Sequence, residues 1–290
     1  MASEVRGPMS YTPSALQVQR EEAKRRASRR STAVALLSTL IVGAVLTIIV
    51  ANAQGAEAVR ESFFNWYYAK KAFPRILDGI FLNLRVLLIA EFFVLLFGLA
   101  IAIARTTTSP VLYPLRLIAT VYTDVFRGMP LLLVLFLVGL GIPGLRLPYV
   151  PNSAVFLGTV ALILTYSAYV AEVIRAGIEG VNPTQRQAAR ALGLSHPQTL
   201  QHVVLPQAFR NVTPPLLNDL VSLQKDSGLI SVLGAVDAIR AAGIETAQSF
   251  NFTPYVVAGA LFVLLTIPLT RYTDWLIRRQ DRAQKAQGAF

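Results

Sequence analysis

Long apolar runs separated by short polar corners recur along the chain, and their lengths predict helices that cross a membrane. The first run, residues 33–51, carries no charged side chain and matches the roughly 20 residues needed to cross hydrocarbon. A second run covers about 79–104, and a third is led by an amphipathic stretch at 112–126 and completed by the apolar residues 131–141. A fourth lies at about 153–171, a fifth starts near Thr213 and ends near 235–242, and a sixth covers about 255–277. The expectation is an all-α membrane protein with about six transmembrane helices.

Charge at the ends of these runs orients them. Arg20, Lys24, Arg25, Arg26, Arg29 and Arg30 precede the first span, and Arg278, Arg279, Arg282 and Lys285 follow the last. Basic residues collect on the cytoplasmic side, so both termini are expected there. Residues 1–31 read as a disordered tail leading into a basic interfacial helix. The run after it is long enough to remain in the membrane, so it is not read as a cleaved leader. Phe63, Phe64, Trp66, Tyr67 and Tyr68, with Lys70, Lys71 and Arg75 close behind, predict an external interfacial helix over 52–79, since aromatic rings and snorkelling cations suit the headgroup layer. Pro143, Pro148 and Pro151 break up a short external connection, and Glu245 is assigned to an outer loop.

Composition agrees with this class. Mean hydropathy is +0.52, and only 15% of the 290 residues are charged, far too apolar for a soluble domain of this size. The net charge of +11 is explained by positive residues flanking apolar runs and meeting anionic headgroups, and nucleic acid is not expected as a partner. There are no cysteines, and the two histidines, His196 and His202, lie outside the spans.

Polar residues at membrane depth are the candidate chemistry. Glu91 sits near the middle of the second span and would cost about 2.5–3.5 kcal/mol facing lipid, so it faces protein or water. Two readings stand for it: contact with solute, or a packed structural role. The fifth span carries Asp219, Ser222, Gln224, Lys225 and Asp226, which suits the aqueous centre of a transporter. Asp124 and Arg127 are three apart and predict a local pair, as do Glu172 and Arg175. Gly128 and Pro130 reshape the backbone before residue 131. For Arg127 and Pro130 the readings are a kink or a gating role, and for Glu172 and Arg175 a helix-end anchor or transmission of motion.

The most informative polar stretch is 182–206. Asn182 predicts an N-cap with Pro183 at the first helical position and Gln185 closing a capping box. Gly193 predicts the end of that helix. Ser195 with Gln198 repeats the box for a second short helix, which Pro206 is expected to close. Ala188, Ala189, Leu192, Leu194, Leu200, Val203 and Val204 form an apolar surface suited to a partner's groove.

Q-A-A-R-A-L-G-L-S followed by V-V-L-P in this stretch resembles the EAA loop of permease subunits in bacterial ABC importers, especially those for polar amino acids. F-R-G-M-P-L-L at 126–132, S-A-Y-V-A-E-V-I-R-A-G at 167–177 and K-D-S-G-L-I-S-V-L-G at 225–234 strengthen the likeness, which covers roughly 80 to 277. Gln187 stands where the loop's first acidic residue is usual. The resemblance implies a type I ABC importer transmembrane domain at 79–278, preceded by a basic tail at 1–31 and an additional helix with interfacial segment at 32–78, and followed by a tail at 279–290. It places Arg127, Gly128, Pro130 and Leu131 in the transmembrane core.

It further implies that Gln187, Ala188, Ala189, Gly193, Leu205 and Pro206 belong to the contact with an ATPase. Glu91, Asp219, Ser222 and Lys225 are the candidate solute pathway, and Arg127, Pro130, Glu172 and Arg175 the candidates for coupling or gating. No G-x-x-x-x-G-K-S/T phosphate loop occurs in the chain, so ATP and Mg2+ are expected in a partner ATPase, with no cofactor and no metal site in this chain. The implied partners are an ABC ATPase dimer, an identical or related permease subunit, an extracytoplasmic amino-acid-binding protein and membrane lipid. The implied location is the bacterial inner membrane, with a polar amino acid as solute. The alternatives are a permease for another small polar solute, such as an opine or amino-acid derivative, and a membrane scaffold that moves no solute.

Overall fold

The computed structural model describes residues 15–52, 55–107 and 109–287. Residues 1–14, where a disordered tail is expected, lie outside them. The chain divides into two units, 1–60 and 61–290. In the first, α1 (Ala15–Ala51) is one continuous helix that contains an apolar span at Arg30–Ile49; α2 (Ala56–Phe63) follows it.

The second unit is built on α3 (Trp66–Thr106), a helix of 41 residues. At 1.5 Å per residue it is about 60 Å long, twice the hydrocarbon thickness. The bounds of the helix expected over 52–79 are therefore corrected: the segment divides between α2 and α3, and from Trp66 onward it forms the first turns of the same helix that continues through the second apolar run. Packing explains the continuity. Ala72, Ile76 and Ile80 are buried against Ala238, Ala241 and Ala242 of α11 (Ala238–Ser249) and Ala258 of α12 (Thr253–Gln287), while Phe64, Trp66 and Tyr67 are exposed.

After α3 the chain forms α4 (Tyr113–Gly128) and α5 (Leu131–Phe136), with a π-helical turn over Leu137–Gly141 leading to the short α6 (Ile142–Gly144). The axes on the two sides of Met129 and Pro130 meet at 107°. Residues 112–126 are thus one arm of a sharply broken pair. Pro130 occupies the N-cap of α5, and its carbonyl accepts from Leu133 N at 2.9 Å.

The central helix α7 (Ala154–Glu179) is capped by Ser153 and packs along α3. Val86, Leu87, Ala90 and Val94 of α3 meet Leu162, Tyr166 and Val170 of α7 and Leu223 beyond them. A second apolar cluster joins Val134, Leu135 and Val138 to Leu157 and Ala161. Then come α8 (Pro183–Ala191), α9 (His196–Thr199), a π-helical turn Leu200–Val204 and α10 (Leu205–Asp226). A 3-10 segment, Ser227–Leu233, leads to α11. Glu245 lies within α11 and is buried, which corrects its assignment to a loop. Among the described residues four helices are long and apolar enough to cross a membrane, and six spans result if each of the two bent pairs counts as one.

Candidate functional site

The corner at 182–206 forms from local signals. Asn182 Oδ1 accepts from Thr184 N at 2.9 Å, with Pro183 in the first turn. Gln185 contributes its backbone N–H to the Asn182 carbonyl, so the box expected from its side chain is replaced by this simpler cap. Gly193 has φ +87°. Gly193 N reaches Arg190 O at 3.0 Å and Leu194 N reaches Ala189 O at 3.2 Å, the paired bonds that satisfy a helix's last carbonyls when the next residue is left-handed. Ser195 and Gln198 form the second box, Gln198 Oε1 accepting from Ser195 N at 2.9 Å.

Pro206 does not close the second helix. The helix that starts at His196 widens into the π turn at Leu200–Val204 and continues as α10 to Asp226. Proline removes one N–H and crowds the carbonyl four residues back; the wider π turn immediately before it relieves both demands. Consequently the second half of the corner, from His196, and the polar run near Asp219 belong to one helical run, with Pro214 and Pro215 inside it. Side chains divide around it. Gln187, Ala188, Gly193 and Pro206 are exposed, as are Leu192 and Leu205. Ala189 is buried, and Val204 packs with Val181 and Ala208, so these two hold the corner together rather than extend its outer apolar surface.

The same run carries the polar residues at membrane depth. Asp219 Oδ2 is buried with no hydrogen-bond partner among the described residues. Tyr166 of α7 donates to Asp226 Oδ2 at 2.7 Å, and Thr266 of α12 donates to Gln224 Oε1 at 2.7 Å. Ser222 is half-buried between these groups in sequence, whereas Lys225 is exposed and joins no ion pair among the described residues. Glu91 and Asp219 are both half-buried, whereas Lys225 is exposed. An apolar groove of about 730 Å³ among α3, α4 and α7 includes none of them.

Glu172 gathers three arginines. Its Oε2 lies 2.6 Å from Arg105 Nη1 and 3.5 Å from Arg127 Nη1, and its Oε1 lies 2.5 Å from Arg175 Nη2. Arg175 also pairs with Glu179. The predicted Glu172 and Arg175 pair is present, but Arg127 turns to Glu172 and leaves Asp124 exposed. Arg105, at the end of α3, is part of this cluster and was marked in the sequence only by its place after an apolar run.

A further buried node joins α3 to the start of α11. Asn83 Nδ2 donates to Ser227 O at 3.0 Å and to Asp237 Oδ2 at 3.1 Å, while Asn83 Oδ1 accepts from Ala238 N at 3.2 Å. Asp237 Oδ1 caps α11 by accepting from Arg240 N at 2.9 Å. Among the described residues no group of three His, Cys, Asp or Glu side chains is placed to hold a metal ion.

Residues 95–282 match the model of the binding-protein-dependent transport system inner membrane component family. The chain belongs to that family. This membrane component is 35% identical over 198 residues to the arginine transport system permease protein ArtQ of Bacillus subtilis, covering 68% of this chain and 88% of the relative. It is 36% identical over 216 residues to the probable glutamine ABC transporter permease protein GlnM of the same species, covering 73% and 95%. In structure, the membrane component matches a crystal structure of an amino acid ABC transporter with histidines at a TM-score of 0.66 and 34% identity, over 72% of this chain and 95% of that one. An inward-facing MetNI methionine ABC transporter matches at 0.57 with 19% identity, over 71% and 96%, a likeness of fold. The membrane component is a multi-pass membrane protein and a transport subunit rather than an enzyme.

Proposed function

We propose that this chain is the membrane-spanning subunit of an ATP-driven importer for a polar amino acid in the bacterial inner membrane. The identity to arginine and glutamine permeases over most of their length supports the solute class. The proposed partners are an ABC ATPase dimer that binds ATP and Mg2+, an identical or related permease subunit that completes the path, and an extracytoplasmic binding protein that delivers the solute. Both termini and the 182–206 corner face the cytoplasm.

The observation that carries this reading is the continuity of the corner with α10. Force applied where Gln187, Ala188, Leu192 and Gly193 are exposed enters the helical run from His196 to Asp226, which passes the π turn at Leu200–Val204 and carries Pro214 and Pro215 within it. Asp219 rides on that helix. Closure of the ATPase dimer on ATP moves the corner, and the helical run carries that displacement to the polar residues at membrane depth, exchanging outward-open for inward-open states. The test is crosslinking: the chain has no cysteine of its own, so a single cysteine at Ala188 reports contact cleanly. A nucleotide-dependent crosslink to the ATPase is expected, and labelling of that cysteine from outside the cell would overturn the reading.

A further inference from the structure

The proposed function leaves open how motion of the corner reaches the broken pair α4 and α5, which lies on a different part of the molecule. The end of α7 is joined firmly to the corner. Arg186 Nη2 of α8 donates to Ile178 O at 2.5 Å, Asn211 Nδ2 of α10 donates to Gly177 O at 3.4 Å, and Val181, Val204 and Ala208 form a small buried cluster beside them. Gly177 lies so close to Val212 that a Cβ there would overlap its side chain. These contacts make the last two turns of α7, α8 and the start of α10 one body.

Glu172 stands at the upper edge of that body and holds two other helices by their ends. The two attachments differ. Arg105 is 10% exposed and 2.6 Å from Glu172, a short and mostly desolvated contact. Arg127 is 40% exposed and 3.5 Å away, and it is followed directly by Gly128 and the 107° break before α5. Charge-assisted contacts are strongest when short and screened from water, so the Arg105 contact is the firmer and the Arg127 contact the one that water replaces at low cost. Once it is replaced, Arg127 regains hydration and Glu172 remains neutralised by Arg105 and Arg175, so no buried charge is stranded.

On this geometry we infer that Glu172 is a positioning residue for the transport cycle: Arg105 and Arg175 fix it, and making and breaking its contact with Arg127 links the corner to the α4 and α5 arm. The inference rests on the proposed transport function and adds the route by which α4 and α5 are driven. In the state described here the clasp is closed; in the opposite state Arg127 is released and the arm turns about Met129 and Pro130.

The experiment uses the full complex with its ATPase and binding protein in proteoliposomes. Arg127→Gln is expected to lower the stimulation of ATPase activity by solute-loaded binding protein at least about fivefold, with membrane levels unchanged, and Arg127→Lys to restore at least half of it. In parallel, spin labels on single cysteines at Val125 and Ala176, both exposed, are expected to show a separation that shifts between nucleotide-free and ATP-bound states, and to lose that shift in Arg127→Gln. One fixed separation in both states of the otherwise unaltered complex, or full stimulation in Arg127→Gln, would overturn the inference. Absence of ATP-dependent uptake by the unaltered complex would instead overturn the transport reading, which separates the two failures.

Discussion

Arg75 Nη1 lies 2.7 Å from Glu245 Oε1, tying the third turn of α3 to the middle of α11 across 170 residues. The two partners are unequal. Arg75 is 53% exposed and Glu245 only 10%, with Lys71 a further 3.8 Å from the same carboxylate. Removing Glu245 lets Arg75 hydrate, so Glu245→Ala is expected to cost under about 1 kcal/mol. Removing both cations in Arg75→Ala with Lys71→Ala leaves a desolvated carboxylate unpaired and is expected to cost about 2–3 kcal/mol. Thermal unfolding in detergent orders the two variants; an equal or reversed order would contradict this account of the pair.

The Asn83 node predicts another ordering. Asn83→Leu would leave the Ser227 carbonyl, the Ala238 N–H and one oxygen of Asp237 without their partner, at an expected cost of about 3 kcal/mol. Asp237→Asn keeps an acceptor for Arg240 N but sets an amide NH2 group against Asn83 Nδ2, and is expected to cost about 1–2 kcal/mol. Unfolding midpoints of the two variants settle the comparison, and a larger loss in Asp237→Asn would contradict the expected order.

Close approach of α3 to α11 depends on Gly79, where a Cβ would overlap Ala238 N and Asp237 C, both backbone atoms that cannot turn aside. Gly79→Ala is therefore expected to destabilise by about 1–3 kcal/mol, as overpacking does. At Gly259 nothing lies within 4 Å, and Gly259→Ala in the same assay is expected to be neutral or slightly stabilising. Similar losses at both positions would contradict the packing described for α3 and α11.

Gly193 tests the corner itself. At φ +87° a β-branched side chain is strained by roughly 1–2 kcal/mol, while open space around the position means no neighbour is displaced. Gly193→Val is expected to insert and accumulate normally and to cut ATP-dependent uptake at least about tenfold. Uptake and ATPase stimulation equal to the unaltered complex would show that the left-handed turn is not needed for coupling.

Local signals in the sequence were legible, and contacts across long separations were not. Asn182, Pro183, Gly193, Ser195 and Gln198 act on backbone groups within a few residues, so their spacing is enough to place the turn. Pro206 misleads because its stop signal assumes an α-helical ladder, whereas a π turn precedes it. Asp124 and Arg127 have a suitable spacing, yet α4 packs so that Arg127 meets Glu172 and Asp124 is exposed. Arg105 and Glu172 are 67 residues apart and Arg75 and Glu245 are 170 apart; no periodicity along the chain encodes either pairing. The aromatic run near Trp66 resembles a headgroup belt in composition, and nothing in that run encodes the packing of Ala72, Ile76 and Ile80 against α11.

The most direct measurement of the central claim is uptake of radiolabelled amino acids into proteoliposomes that contain this chain, its companion permease, the ATPase and the binding protein. Uptake of a polar amino acid that requires internal ATP at the face bearing the ATPase, and that stops when the binding protein is withheld, is the predicted result. ATPase binding without ATP-dependent accumulation of any amino acid would contradict it.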